Sequence, residues 1–179
     1  RPAQLDWLSA LRADQIKALA AAEALQLSLF DEQNLVAITH PDYPGERLIG
    51  CRNPALAAER TRKRGELLAA TETELDTITA ATRRERRPLR GKDTIGLRVG
   101  KVINTFKMAK HFTITITEDS FTFCRNEDTI TAEAALDGIY VLRTSLPADT
   151  LTDDNVVLRY KGLEDVERSF RTLNSELDV

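Results

Sequence analysis

Cysteine is nearly absent from this chain: only Cys51 and Cys124 occur, and neither sits in a Cys-x-x-Cys pair. Two thiols cannot build the multi-bridge framework of a small secreted domain, and they read as reduced, partly buried side chains of a cytosolic protein. Histidine is as scarce. His40 lies in a proline-rich turn and His111 just before a strand, and neither has a partner at ligand spacing, which argues against a metal site built on either. Long apolar runs are missing too, none approaching the roughly 20 residues of a membrane-spanning helix. The opening Arg1-Pro2-Ala3 starts no positive–apolar–small pattern, so no secretory signal is read there, and a cytoplasmic location without membrane partners is expected. The chain also opens without methionine, which fits a start partway into a longer protein. There is no internal repeat, low-complexity segment or Gly/Ser linker.

What is present is the composition of a soluble, folded protein: 179 residues, 42% hydrophobic and 30% charged. That length makes one ordinary domain or a large part of a bigger one. The net charge of −3 conceals a segregation. Between Arg52 and Lys110 there are 15 Lys and Arg against 7 Asp and Glu, a net of +8, and the remainder carries −11. A basic middle of this kind can face nucleic acid, or it can be a solvated helix face.

Along the chain, Leu5 to Leu11 suits a short buried strand, with Trp7 as a core residue of it. Asp14 to Leu25 is helical in pattern, Ile16, Leu19 and Ala20 sharing a face. His40-Pro41-Asp42-Tyr43-Pro44-Gly45 is a turn, and Leu48 to Cys51 a short strand. Asn53-Pro54 has the form of a helix start, cap followed by proline, and the helix should run to about Arg84. Its apolar residues are sparse, so only one side is expected to be buried. Thr94 to Met108 reads as a second helix. Phe112, Ile114 and Ile116 alternate with Thr113, Thr115 and Thr117 in a half-buried strand, which Glu118-Asp119-Ser120 turns back into Phe121 to Cys124. A further strand spans Gly138 to Thr144, and Thr152-Asp153-Asp154 caps a last helix. The order points to an α+β or α/β chain.

On that last helix, Tyr160, Leu163 and Glu167 recur at spacings of three and four and therefore share a face. An acid at the edge of an apolar face also fits a surface residue whose carboxylate reaches water. With Phe170-Arg171, and the lead-in Leu142-Arg143-Thr144-Ser145-Leu146-Pro147, the segment resembles the C-terminal signature of the insertion-sequence DDE transposases, in which a Tyr precedes the catalytic Glu by seven residues. The similarity extends upstream through Pro41 to Leu48 and Cys51 to Pro54, and so over nearly the whole chain. The chain departs from the family at Leu163 and Asn174, where basic residues thought to face DNA phosphate are usual.

The resemblance implies an α+β fragment of an α/β ribonuclease-H-like catalytic domain: residues 1–12 a core strand, 13–137 an insertion with a long basic helix and a β-hairpin, and 138–179 a core strand and the helix carrying Glu167. It implies a catalytic and metal-binding role for Glu167 in cleavage and strand transfer at transposon ends. Three carboxylates hold two divalent ions, usually Mg²⁺, in such chemistry, and one Glu alone cannot. The two catalytic aspartates are not among these 179 residues, Asp6 and Asp14 being unsuitably placed, so this chain by itself is not expected to cleave DNA. The implied partners are double-stranded DNA and a second copy of the protein at paired ends. Tyr160 and the basic residues Arg60, Arg62, Lys63, Arg64, Arg83, Arg84, Arg86 and Arg87 are the expected DNA contacts, with affinity falling as salt rises. Two other readings remain open on the sequence: a non-enzymatic helical module that binds DNA or a protein, and an inactive relic of a transposase gene.

Overall fold

A computed structural model describes residues 5–31 and 33–163, and Glu167, Phe170, Arg171 and Asn174 lie outside that range. The chain divides into two compact units, one made of Arg1–Pro54 with Gly138–Val179, the other of Ala55–Asp137. The expected insertion of 13–137 thus compares with a unit that begins at Ala55. Residues 13–54 fall within the first unit, and 35–38 and 47–52 of them are strands of its sheet.

The first unit contains β1 (Leu8–Ala10), α1 (Ala13–Ala21), β2 (Leu35–Ile38), β3 (Arg47–Arg52), β6 (Ile139–Thr144) and a helix over 153–163, α5. Its sheet has the order β1-β6-β3-β2, and every described pairing in it is antiparallel. β1 is shorter than the sequence pattern indicated, beginning after Trp7. Alternation of side chains gives β3 two different faces. Ile49 and Cys51, opposite Leu142 and Tyr140, join Leu151, Val156, Val157 and Tyr160 in one core cluster beneath α5. On the other face, a Cβ at Gly50 would lie 3.1 Å from Leu25 and Phe30 and 3.2 Å from Ile38. Glycine there lets the chain that follows α1 approach the sheet closely.

α5 starts where expected. Thr152 caps it, its Oγ1 accepting from the Asn155 amide at 3.4 Å, and the Val156 amide donates to the Thr152 carbonyl at 2.9 Å. Arg47 on β3 fixes the approach to this helix. Its Nη1 donates to the carbonyls of Leu146 and Leu151, each at 2.8 Å, and its Nη2 pairs with Asp153.

The second unit contains α2 (Pro54–Thr82, its first residue belonging to the first unit), α3 (Lys92–Phe106), β4 (Phe112–Ile116), β5 (Phe121–Arg125) and α4 (Glu127–Ala134). Leu68, Thr71, Leu75, Ile78, Ala81 and Thr82 are the buried residues of α2's second half, mostly at spacings of three and four that mark one stripe. Leu68, Leu75 and Ile78 meet Ile95 and Val99 of α3 and Phe112 and Phe121 of the antiparallel β4–β5 ribbon in one core. Thr71, fully buried, satisfies its hydroxyl on the Leu67 carbonyl at 2.7 Å. Gly65 faces open space and leaves the long helix unbroken. α3 ends at Lys107, which adopts a left-handed conformation and donates its amide to Ile103 at 2.9 Å.

Candidate nucleic-acid interface

The basic residues of the middle segment fall into two groups, one near the start of α2 and one just beyond its end. Near the start of α2, Arg62 donates to Glu59 at 2.8 Å and 3.1 Å and to Glu66 at 2.5 Å, the i,i+3 and i,i+4 neighbours that a helix brings alongside it. Its hydrogen bond lowers the Glu59 carboxyl and raises the Arg62 guanidinium. Arg64 is buried. Its guanidinium forks onto Asp137, with Nη1 to Oδ1 at 3.0 Å, and Thr61 Oγ1 adds a bond to the same carboxylate at 3.0 Å. Burial alone would push Asp137 up, but the hydrogen bonds from Arg64 and Thr61 outweigh it and hold the carboxyl below its ordinary value. Arg64 is therefore a structural tie and presents little charge to a ligand. Arg60 and Lys63 are exposed and form no ion pair among the described residues.

Beyond α2 the chain behaves differently. Arg83, Arg84, Arg86 and Arg87 are exposed, and none makes an ion pair among the described residues. The loop is held through Arg90 instead. Its Nη1 donates to the carbonyls of Thr82 at 2.6 Å, Leu89 at 3.1 Å and Asp119 at 2.9 Å. The Gly91 amide adds a bond to the Glu118 carbonyl at 2.8 Å, and the Leu89 amide one to Ala81 at 2.9 Å. A fixed backbone thus carries four arginines that form no ion pair among the described residues, at the end of the unit where the β4–β5 turn lies. Unpaired guanidinium groups on an anchored loop are suited to phosphate, which they can meet in bidentate fashion.

Tyr160 sits on α5, half-buried, with its ring 6.5 Å from that of Tyr140 and nearly parallel to it. It belongs to the edge of the first unit's core, a packing role that the sequence pattern gave no way to separate from DNA contact. Leu163 is exposed, and Glu167 falls outside the described residues. Below Tyr140 a cavity of about 490 Å³ is lined by Leu35, Cys51, Asn53, Asp154, Val157 and Lys161, among others. Cys51 offers no nucleophile there, since burial pushes its thiol up to about 12. Trp7 precedes β1 and is half-buried, with the Arg143 guanidinium 4.9 Å from its ring centroid and 5.3 Å from that of Tyr43.

Among the described residues no group of three or more His, Cys, Asp or Glu is placed to hold a metal ion. His111, fully buried, has Nε2 3.1 Å from Glu133 but not aligned as a hydrogen bond, and Nδ1 3.3 Å from Thr129 Oγ1. Burial depresses its imidazole below the ordinary value, against the opposing pull of Glu133. Among the described residues, no helix is long and apolar enough to cross a membrane.

The fold and site together define a class no narrower than an α+β protein with a free arginine loop on its second unit. Comparison with protein-family models, with curated proteins and with solved structures found no match.

Proposed function

We propose that this chain is part of a metal-dependent DNA transposase, in which the second unit holds DNA and Glu167 supplies one of the catalytic carboxylates. The observation that carries the DNA part of this reading is the set of arginines at 83, 84, 86 and 87, on an anchored loop and without an ion pair among the described residues. The Tyr160–Glu167 spacing carries the catalytic part, through the resemblance of that segment to the DDE transposases. Duplex DNA at transposon ends is the substrate on this reading, and a second copy of the protein acts at the paired end.

In this reading the first unit contributes β6 and α5 to a ribonuclease-H-like catalytic domain. The described strand pairs are antiparallel, so any parallel strands of such a domain belong to polypeptide outside these pairs. The same holds for the two aspartates. The residues described here do not by themselves fit a Mg²⁺ pair, so the role of this chain's own residues is to bind DNA and to present Glu167.

In the whole protein, Glu167→Gln is expected to abolish Mg²⁺-dependent cleavage at transposon ends while duplex binding persists. Cleavage by that variant at the wild-type rate would sink the catalytic assignment. A non-enzymatic DNA-binding module is favoured by the same arginine loop. It would be the surviving reading if the wild-type whole protein bound the ends and never cut them.

A further inference from the structure

We propose that the outward face of the β4–β5 ribbon is a second contact surface for duplex DNA, a neutral hydroxyl face that works alongside the arginine loop. It rests on the reading that the second unit meets DNA, and it assigns the contact to residues that carry no charge. Thr113 pairs with Cys124 and Thr115 with Thr122, and directly opposed residues share a face. Those four side chains are all exposed. The alternate residues, Phe112, Ile114, Ile116, Phe121 and Phe123, turn to the core. The hydroxyls of Thr113, Thr115 and Thr122 make no hydrogen bond among the described residues, whereas Thr117 is spent on the turn through Ser120. Each open hydroxyl offers one donor and two acceptor sites.

Threonine on a solvated strand face is common, because β-branched residues suit strands. The second observation is what lies at the ribbon's end. Arg90 and Gly91 bond the turn's carbonyls at 2.9 Å and 2.8 Å, so the arginine loop is fastened to the tip of the ribbon. The acids near that end are Glu85, Asp93, Glu118 and Asp119, outnumbered by Arg83, Arg84, Arg86, Arg87, Arg90 and Lys92. No acid stands on the hydroxyl face itself. A five-residue ribbon is about 17 Å long, and two-stranded ribbons are among the elements that the major groove admits. Hydroxyl groups are regular donors to phosphate and sugar oxygens. A protein partner fits this face less well, since it presents no large aromatic or aliphatic anchor. The chemistry favours a polyanion whose charge is met by the loop and whose oxygens are met by the ribbon.

The test is binding of a fluorescent duplex by the 179-residue chain across a salt series. The triple variant Thr113→Val, Thr115→Val, Thr122→Val keeps β-branched residues, so the strands should persist, which circular dichroism checks. It is expected to bind about tenfold more weakly at every salt concentration, from the loss of several hydrogen bonds, with the slope of log affinity against log salt unchanged. A neutral group releases no counterion, so it moves the intercept alone. Replacing the same three residues with Ser, which restores the hydroxyls, is expected to recover wild-type affinity. The arginine-loop variant should lower the slope. If the Val variant binds like wild type while the loop variant loses slope, the ribbon is not a contact and the DNA reading stands. Equal weakness of the Ser and Val variants also overturns the proposal. No duplex binding by the wild-type chain at low salt would overturn the DNA reading itself, and the ribbon proposal with it.

Discussion

Arg64 and Asp137 lie far apart in sequence yet form the most buried ion pair described in the second unit, their side chains only 9% and 8% exposed. Removing one partner of such a pair leaves the other buried and uncompensated. Arg64→Ala is expected to cost about 3 kcal/mol, read as a lowered urea midpoint, while Arg64→Met combined with Asp137→Leu should recover most of it. Equal losses in the single and double variants would show that the packing of the arginine stem matters more than the charge. His111 makes a second prediction at this scale. Its folded-state affinity for protons is depressed below the ordinary 6.5 by burial, with Glu133, Lys110 and Arg64 as the charged groups around it. A depressed value means that the unfolded chain binds the proton more readily, so the stabilisation is complete above about pH 6.5 and is lost as pH falls through the folded value. Asp137, also depressed, adds a loss in the same direction at lower pH. Thermal midpoints should therefore fall between pH 7 and 5, and His111→Gln should flatten that dependence. An unchanged slope in the variant would remove His111 from the explanation. Sequence could not show either role: a helix with four basic residues in a row of five looks uniform until Asp137 folds back onto one of them.

Elements were more legible than single residues. The two long helices, the β4–β5 ribbon, β3 and β6 are all legible in the sequence: α2 from its Asn53-Pro54 start, α3 from an apolar stripe, the ribbon from alternation, and β3 and β6 as short apolar runs bounded by turns. Two elements carry no such signal. β2, Leu35–Ile38, is a four-residue apolar run with no alternation to mark it, and its pairing with β3 comes from tertiary burial. α4, Glu127–Ala134, has no buried residue and so no apolar stripe. The signal it does carry is a cap. Asn126 accepts the Thr129 amide at 3.2 Å, and Glu127 and Asp128 follow in the first turn, where negative charge suits the helix end. With Ile130 as its one apolar side chain packed against the core, α4 should depend on that cap. Asn126→Ala is expected to destabilise by about 1 kcal/mol and to raise amide exchange over residues 127–134 before any other element responds. Uniform exchange across the unit would mean that α4 opens only with the whole.

At the scale of the molecule, the second unit has its own core, and its ends are brought together by the Thr61–Asp137 bond. A fragment of residues 54–137 should fold alone, with a cooperative denaturation curve, and a gradual transition would contradict the division into units. The charge pattern in the sequence announced a basic middle but not which of its cations were available, because availability depends on the folded positions of Glu59, Glu66 and Asp137. The central claim is that duplex DNA is met by the loop rather than by the start of α2. The direct test is the salt dependence of duplex binding in two variants, Arg83→Ala, Arg84→Ala, Arg86→Ala, Arg87→Ala against Arg60→Ala with Lys63→Ala, the two exposed cations at the start of α2 that form no ion pair among the described residues. Each phosphate contact contributes about 0.9 to the slope. The loop variant is expected to lose about two to four units of slope, and the helix variant to lose little. Equal slopes for the wild type and the loop variant would contradict the assignment of DNA to this loop.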